Sequence, residues 1–157
     1  MDITIDVEDY RLNVRAAGIM IHNGKILLHR NINSDHYALI GGRIAIGENS
    51  VDTIQREMEE EVGKKVEVKG FAGIIENFFE MKGSKYHEIM FIHFIEFIDE
   101  EDKKIEYTLK NLEGKQHLQY EWVELNKLEK YRLVPEILKN IIKEGKYPFH
   151  KICDELK

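Results

Sequence analysis

The order of patterns along the chain predicts an α/β fold: a mixed β-sheet, largely buried, sandwiched between α-helices, in one domain spanning residues 1–157. Three observations carry that expectation. The stretch YHEIMFIHFIEFI, from Tyr86 to Ile98, is apolar at alternate positions of both parities, as suits a central strand covered on each side. Val51, Ile54, Met58 and Val62 recur at spacings of three and four, making one apolar helix stripe of the kind that packs on a sheet. Strand-like segments lie before and between two helical ones, with no Pro/Gly/Ser-rich break, internal repeat or low-complexity linker to divide them. At 157 residues, 43% of them hydrophobic, the chain can bury one good core and is short for two.

Each element has a local reason. The stretches VRAAGIMI (Val14–Ile21) and KILLHR (Lys25–Arg30) flank His22-Asn23-Gly24, where Asn-Gly signals a tight turn and hence an antiparallel hairpin. HYALIGGRI brings an extended segment to the Gly41-Gly42 pair, read as a glycine-rich turn. Asn49 or Ser50 then caps a helix whose first turn carries Asp52 near the positive end of the dipole, and Gly63 supplies the left-handed residue that ends it. VEVKGFAGIIENFFE reads as strand, MKGSK as an exposed, flexible loop, DEEDKK as a solvated loop and QYEWVEL as a further strand. Pro135 suits the first turn of a final helix bearing Ile137, Leu138, Ile141 and Ile142, and Cys153 reads as apolar filler of the last helix or tail.

Charge and composition exclude several classes of partner. A net charge of −6 and a pI near 5.7 provide no broad basic field for polymeric nucleic acid or an anionic membrane. The most apolar run, Ile89–Ile98, is interrupted by His93 and Glu96 and falls well short of the ~20 residues that span a bilayer. Cys153 is the only cysteine, and MDITIDVEDY lacks the basic and apolar regions of a signal peptide, so a reducing cytoplasm is the expected setting.

The acids on the first helix raise a physical question. At ~100° per residue Glu57, Glu60 and Glu61 share one face away from the apolar stripe, while Glu59 points elsewhere. Like charges at these spacings cost a few tenths of a kcal/mol per pair, so a compensating cation is needed. Mg²⁺ or Mn²⁺ answers this, since hard divalent ions favour oxygen ligands and are commonly shared between a few carboxylates and substrate phosphates. Gly41 and Gly42 permit close backbone approach, so the Gly41 carbonyl could complete a metal site to which Glu48 returns as a further acid.

At these residues the chain resembles the Nudix hydrolases. Gly42, Glu48, Arg56, Glu57, Met58, Glu60, Glu61 and Gly63 fill every fixed position of that family's signature, a glycine, five residues, a glutamate, seven residues, then Arg-Glu-apolar-any-Glu-Glu-any-Gly. The one departure is Lys64, where the family usually has an aliphatic residue. The resemblance implies a mixed sheet between helices and a metal-dependent attack of water on a phosphoanhydride, in a nucleoside diphosphate linked to another group such as a nucleoside triphosphate, an ADP-sugar or a dinucleoside polyphosphate. Carried over by position, Glu57, Glu60 and Glu61 hold the metal, Glu48 assists them, and Arg56 orients the glutamates. The base is Glu57 or Glu61, and helix spacing does not choose between them.

Outside the signature, Glu88 shares a strand face with Met90, Ile92 and Phe94 and is either a rim acid, a buried acid paired with a basic residue, or a distal catalytic carboxylate brought in by closure of the MKGSK loop. Phe78, Phe79, Tyr86, Trp122 and Phe149 read as core, and His29, His36, His87 and His93 lack zinc-like spacing. No residue pattern identifies the nucleobase or leaving group, and a symmetric homodimer is compatible with a chain of this kind. The alternative function is a Nudix-like module that binds a nucleotide without turning it over; the complete acidic set favours the enzyme.

Overall fold

The computed structural model describes residues 1–104, 109–110 and 117–157. In chain order the elements are β1 (Thr4–Val7), β2 (Tyr10–Ile19), β3 (Ile21–His22), β4 (Lys25–Asn31), β5 (Ala38–Arg43), α1 (Ser50–Val62), β6 (Val66–Met81), β7 (Ser84–Phe97), β8 (Leu109–Lys110), β9 (Leu118–Glu124), α2 (Ile137–Glu144) and β10 (Phe149–Asp154). The strands join in the order β10-β6-β7-β2-β5-β4-β9-β8, with β1 added on β2 and β3 on β4. The pairs β2/β7 and β10/β6 are parallel and the others antiparallel, so the sheet is mixed, as expected.

Alternation along the strands divides the core between the two faces. On one face Ala16, Ile40, Ile95, Phe97, Tyr120 and Trp122 pack against Ile54, Met58 and Val62 of α1. On the other, Ala17, Leu28, Leu39, Ile75 and Ile92 pack against Leu138 and Ile141 of α2. The central position of β7, between β6 and β2, explains why its sequence is apolar on both faces.

Helix α1 matches its sequence signals closely. The Asn49 side chain accepts from the Asp52 N–H at 2.9 Å, and Gly63 (φ 73°) ends the helix with its N–H donating to the Glu59 carbonyl. Ile54 and Met58 are fully buried, so cutting either to alanine costs ~2–5 kcal/mol. That anchorage sets the rotation of the helix and therefore the direction of its acids.

Several expectations need correction. The Asn23-Gly24 turn is present, but only Ile21–His22 pairs with β4; β2 ends at Ile19 and pairs with β5, β7 and β1. Gly41 and Gly42 lie inside β5 and not in a turn, which comes later at Gly47. MKGSK is no flexible loop: Met81 pairs with Ser84, and Lys82-Gly83 forms a tight two-residue turn between long strands. The acidic amino-terminal segment forms β1, and residues 149–154 form β10, so Cys153 belongs to a strand rather than a helix or tail. DEEDKK contains a short 3₁₀ turn in which Asp102 is buried and receives Lys64 Nζ at 2.9 Å. The residue that departs from the family pattern thus exchanges an apolar contact for an ion pair.

Candidate active site

Glu48 enters the site on the loop before α1 and is fixed from three directions. Its carboxylate accepts from Thr53 Oγ1 at 2.7 Å, from the Ala45 N–H at 3.3 Å, and from Arg56 through Nε at 2.8 Å and Nη2 at 3.0 Å. The two-pronged Arg56 contact is the main reason its pKa falls to about 2, opposed by partial burial and helped by Thr53. Arg56 also donates through Nη1 to Glu57 at 3.0 Å and to Glu60 at 3.1 Å, and through Nη2 to the Arg43 carbonyl at 3.3 Å. One guanidinium thereby ties the loop, the end of β5 and two helix acids together, which lifts its own pKa further above the ordinary arginine value.

Glu57 lies directly over Gly42. A Cβ at that position would come within 2.2 Å of the Glu57 carboxyl carbon, so only glycine lets the acid rest on the strand. Burial, followed by the neighbouring charge of Glu61, pushes the Glu57 pKa up despite Arg56. Glu61 is itself buried and accepts from the Tyr120 hydroxyl of β9 at 3.2 Å. Tyr120 is fully buried and stacks with His29 of β4 at a centroid distance of 5.9 Å. Burial of that imidazole, and then the charge of Arg15, lowers the His29 pKa to about 4, so the ring is neutral at physiological pH.

The three helix acids do not meet at one point. Among the described residues no three His, Cys, Asp or Glu side chains are gathered closely enough to hold an ion. The physical reason is visible in their partners: Arg56 draws Glu57 and Glu60 to itself, while Tyr120 holds Glu61. The donor set nevertheless fits a hard divalent ion. All four side chains offer oxygen, and the single guanidinium meets three of the four carboxylates, which leaves negative charge for a cation to neutralise.

Glu88 stands apart. It is in register with Asn13 of β2 and Asn77 of β6, and all three are buried. Its parity on β7 is that of Met90 and Ile92, which places it on the α2 side of the sheet, whereas Glu57 lies over Gly42 on the α1 side. The structure therefore does not bring Glu88 to the signature acids, and no loop at Lys82-Gly83 exists to swing it there. Tyr120 is the neighbour that sequence reasoning missed. It lies 59 residues beyond Glu61 in a segment that reads only as strand, so no local pattern could have linked the two.

Comparison with known proteins settles the family. The sequence model described as the NUDIX domain matches residues 12–144, which is most of the chain. The chain belongs to the Nudix family. An RNA pyrophosphohydrolase from Ruthia magnifica subsp. Calyptogena magnifica is 42% identical over 65 residues, covering 40% of this chain and 35% of that protein. This Nudix chain thus aligns with about a third of the length of that curated relative. Its fold is shared by a Nudix hydrolase from Nitrosomonas europaea, with a TM-score of 0.65 at 16% identity over 91% of this chain and 79% of the other. It is also shared by a MutT protein from Methanosarcina mazei Go1 (TM-score 0.60, 22% identity, 88% and 95% coverage) and by a UDP-X diphosphatase (0.61, 19%, 88% and 66%). Among the described residues no helix is long and apolar enough to cross a membrane.

Proposed function

We propose that this Nudix domain, taken as one unit over residues 1–157, is a metal-dependent pyrophosphohydrolase that cleaves a phosphoanhydride in a nucleoside diphosphate linked to another group. The observation that carries this reading is the Arg56 hub holding Glu48, Glu57 and Glu60 beside Gly42, inside a chain that matches the family over residues 12–144. Similarity to an RNA pyrophosphohydrolase over 65 residues supports the same class of bond, a phosphoanhydride attached to a nucleotide.

Glu57, Glu60 and Glu61 would hold Mg²⁺ or Mn²⁺, with Glu48 and the Gly41 carbonyl completing the set. When bound, the ion supplies neutralisation of the phosphate charge and makes a coordinated water more acidic. The chain's own part is positioning. Arg56 keeps Glu57 and Glu60 oriented through charge-assisted hydrogen bonds, and Glu48 keeps Arg56 in place. Water attacks phosphorus, the bridging P–O bond breaks, and the water's proton passes to a carboxylate, either Glu57 or Glu61. Arg56 orients Glu57, and Tyr120 orients Glu61. The expected substrate is a small nucleotide, the expected setting is the cytoplasm, and a homodimer is compatible with the reading.

The test is incubation with a panel of nucleotide derivatives and Mg²⁺ or Mn²⁺, with products separated by chromatography. A nucleoside monophosphate, or a 5′-monophosphate end, should appear only with metal and not in Glu60→Gln. Binding without product from any derivative, under either metal, would replace the enzyme by a nucleotide-binding module.

A further inference from the structure

On the α2 side of the sheet three polar side chains lie in one row across three strands: Asn77 of β6, Glu88 of β7 and Asn13 of β2 are in register. They are 6%, 5% and 4% exposed, and among the described residues no group donates to the Glu88 carboxylate or to Asn77 Oδ1. Asn77 Oδ1 is sealed from solvent, whereas the Glu88 oxygens are not, so a ligand can reach them. Thr4 Oγ1 donates to Asn13 Oδ1 at 3.1 Å, which leaves Asn13 Nδ2 to donate elsewhere. Buried polar side chains nearly always find partners within the protein, so a row that lacks them points to a partner from outside. The flanking rows have their own chemistry. On one side Tyr86 and Phe79 stack, with ring centroids 4.9 Å apart and planes 5° from parallel. On the other, Arg15 of β2 stands opposite Arg43 of β5, and among the described residues no carboxylate pairs with Arg15. Like charges directly opposite one another are destabilising, so this row too calls for an acceptor.

We infer that these residues select guanine: the Glu88 carboxylate accepts from the ring N–H and the adjacent exocyclic amine, while Asn13 and Arg15 donate to the carbonyl and ring nitrogen of the neighbouring edge. A carboxylate only accepts, and its two oxygens suit two adjacent N–H donors. Guanine presents that pair. Adenine and cytosine set their amine beside a ring acceptor, which a carboxylate repels, and uracil sets one N–H between two carbonyls. A guanidinium donating to the carbonyl and ring nitrogen of guanine is the commonest specific contact made to that base in duplex DNA. The stacked Tyr86 and Phe79 rings add a flat wall beside Glu88, which suits a base more than a sugar diol. The choice of a nucleobase as the ligand rests on the nucleotide reading above. Arg43 ends β5 and its carbonyl accepts from Arg56 Nη2 at 3.3 Å, so the arginine end of the site adjoins the signature acids. Glu88 thereby serves selection and not the chemical step, in keeping with its place across the sheet from those acids.

Metal-free full-length protein is titrated by calorimetry with GMP, IMP, AMP, UMP and ribose 5-phosphate, none of which contains a phosphoanhydride. GMP should saturate with half-saturation below ~1 mM, and IMP, which lacks the exocyclic amine, should bind about tenfold more weakly. AMP, UMP and ribose 5-phosphate should bind more weakly still. Glu88→Gln, which exchanges one acceptor oxygen for a donor, should weaken GMP by ~10-fold or more and leave AMP within about twofold. Arg15→Met, a partly exposed position at which chain length is kept, should weaken GMP about three- to tenfold. The nucleotide series on wild-type protein and the Arg15→Met titration keep the test decisive where Glu88→Gln does not fold. A Glu88 with only a structural role would lower thermal stability on substitution and leave the order of nucleotide affinities unchanged. That order unchanged in both variants, or GMP and AMP bound equally by the wild type, would overturn the inference. Because no turnover is involved, GMP selection without hydrolysis of any guanosine derivative removes only the catalytic reading, and hydrolysis without GMP selection removes only this one.

Discussion

At Gly42 a single methyl group decides where one carboxylate can lie. Its carbon would fall 2.2 Å from the carboxyl carbon of Glu57, which is the movable end of a side chain and not backbone. Gly42→Ala should therefore leave the fold intact, with Tm within a few degrees of wild type, while displacing Glu57 and lowering kcat by ~10²-fold. Thermal melts and turnover on the same preparation check this, and normal turnover would show that Glu57 need not rest on the strand. Tyr120 acts on the other acid. Tyr120→Phe removes the hydroxyl that Glu61 accepts from, which should cost ~1 kcal/mol of stability and reduce Mn²⁺ affinity as read by paramagnetic resonance. Unchanged Mn²⁺ affinity would make Tyr120 only a packing residue. Glu48, Arg56 and Glu57 could be selected from spacing alone, because their contacts are local on one loop and helix. Tyr120 could not, because its contact with Glu61 depends on how β9 is laid into the sheet.

The loop and helix from Glu48 to Gly63 form one element electrostatically. Arg56 holds Glu48 at a pKa of about 2, below the ordinary 4.5, so the folded state keeps this acid ionised where the unfolded chain takes up a proton. The stabilisation is complete above about pH 4.5 and is lost as pH falls from there toward about 2. Glu48→Gln should flatten the fall of stability across that window, followed by urea melts at stepped pH; an identical slope in the variant would contradict the Arg56 assignment. Helix α1 was legible because its cap, apolar stripe and terminating glycine are all local signals. The strands β1 and β10 were not. Each takes its ladder partners from another segment, β1 from β2 and β10 from β6 across some seventy residues, and each is short with little apolar alternation of its own.

Over the whole molecule, the sheet separates two sets of polar groups. The signature acids lie on the α1 side, while Glu88 sits between Asn13 and Asn77 on the α2 side. Glu88→Gln should accordingly keep kcat within a few-fold of wild type; a loss of ~10²-fold or more, with KM little changed, would return Glu88 to the reacting centre. The overall class could be read from β7, whose two apolar faces require cover on both sides, but the separation of Glu88 from the acids depends on sheet register and on which face each helix takes. The most direct measurement of the central claim is Mg²⁺-dependent turnover by Glu57→Gln beside its thermal stability without metal. Burial and Glu61 both disfavour the Glu57 charge, so the neutral side chain should leave Tm unchanged or higher while kcat falls by ~10²-fold or more. A folded Glu57→Gln protein that turns over nucleotide at the wild-type rate would contradict it.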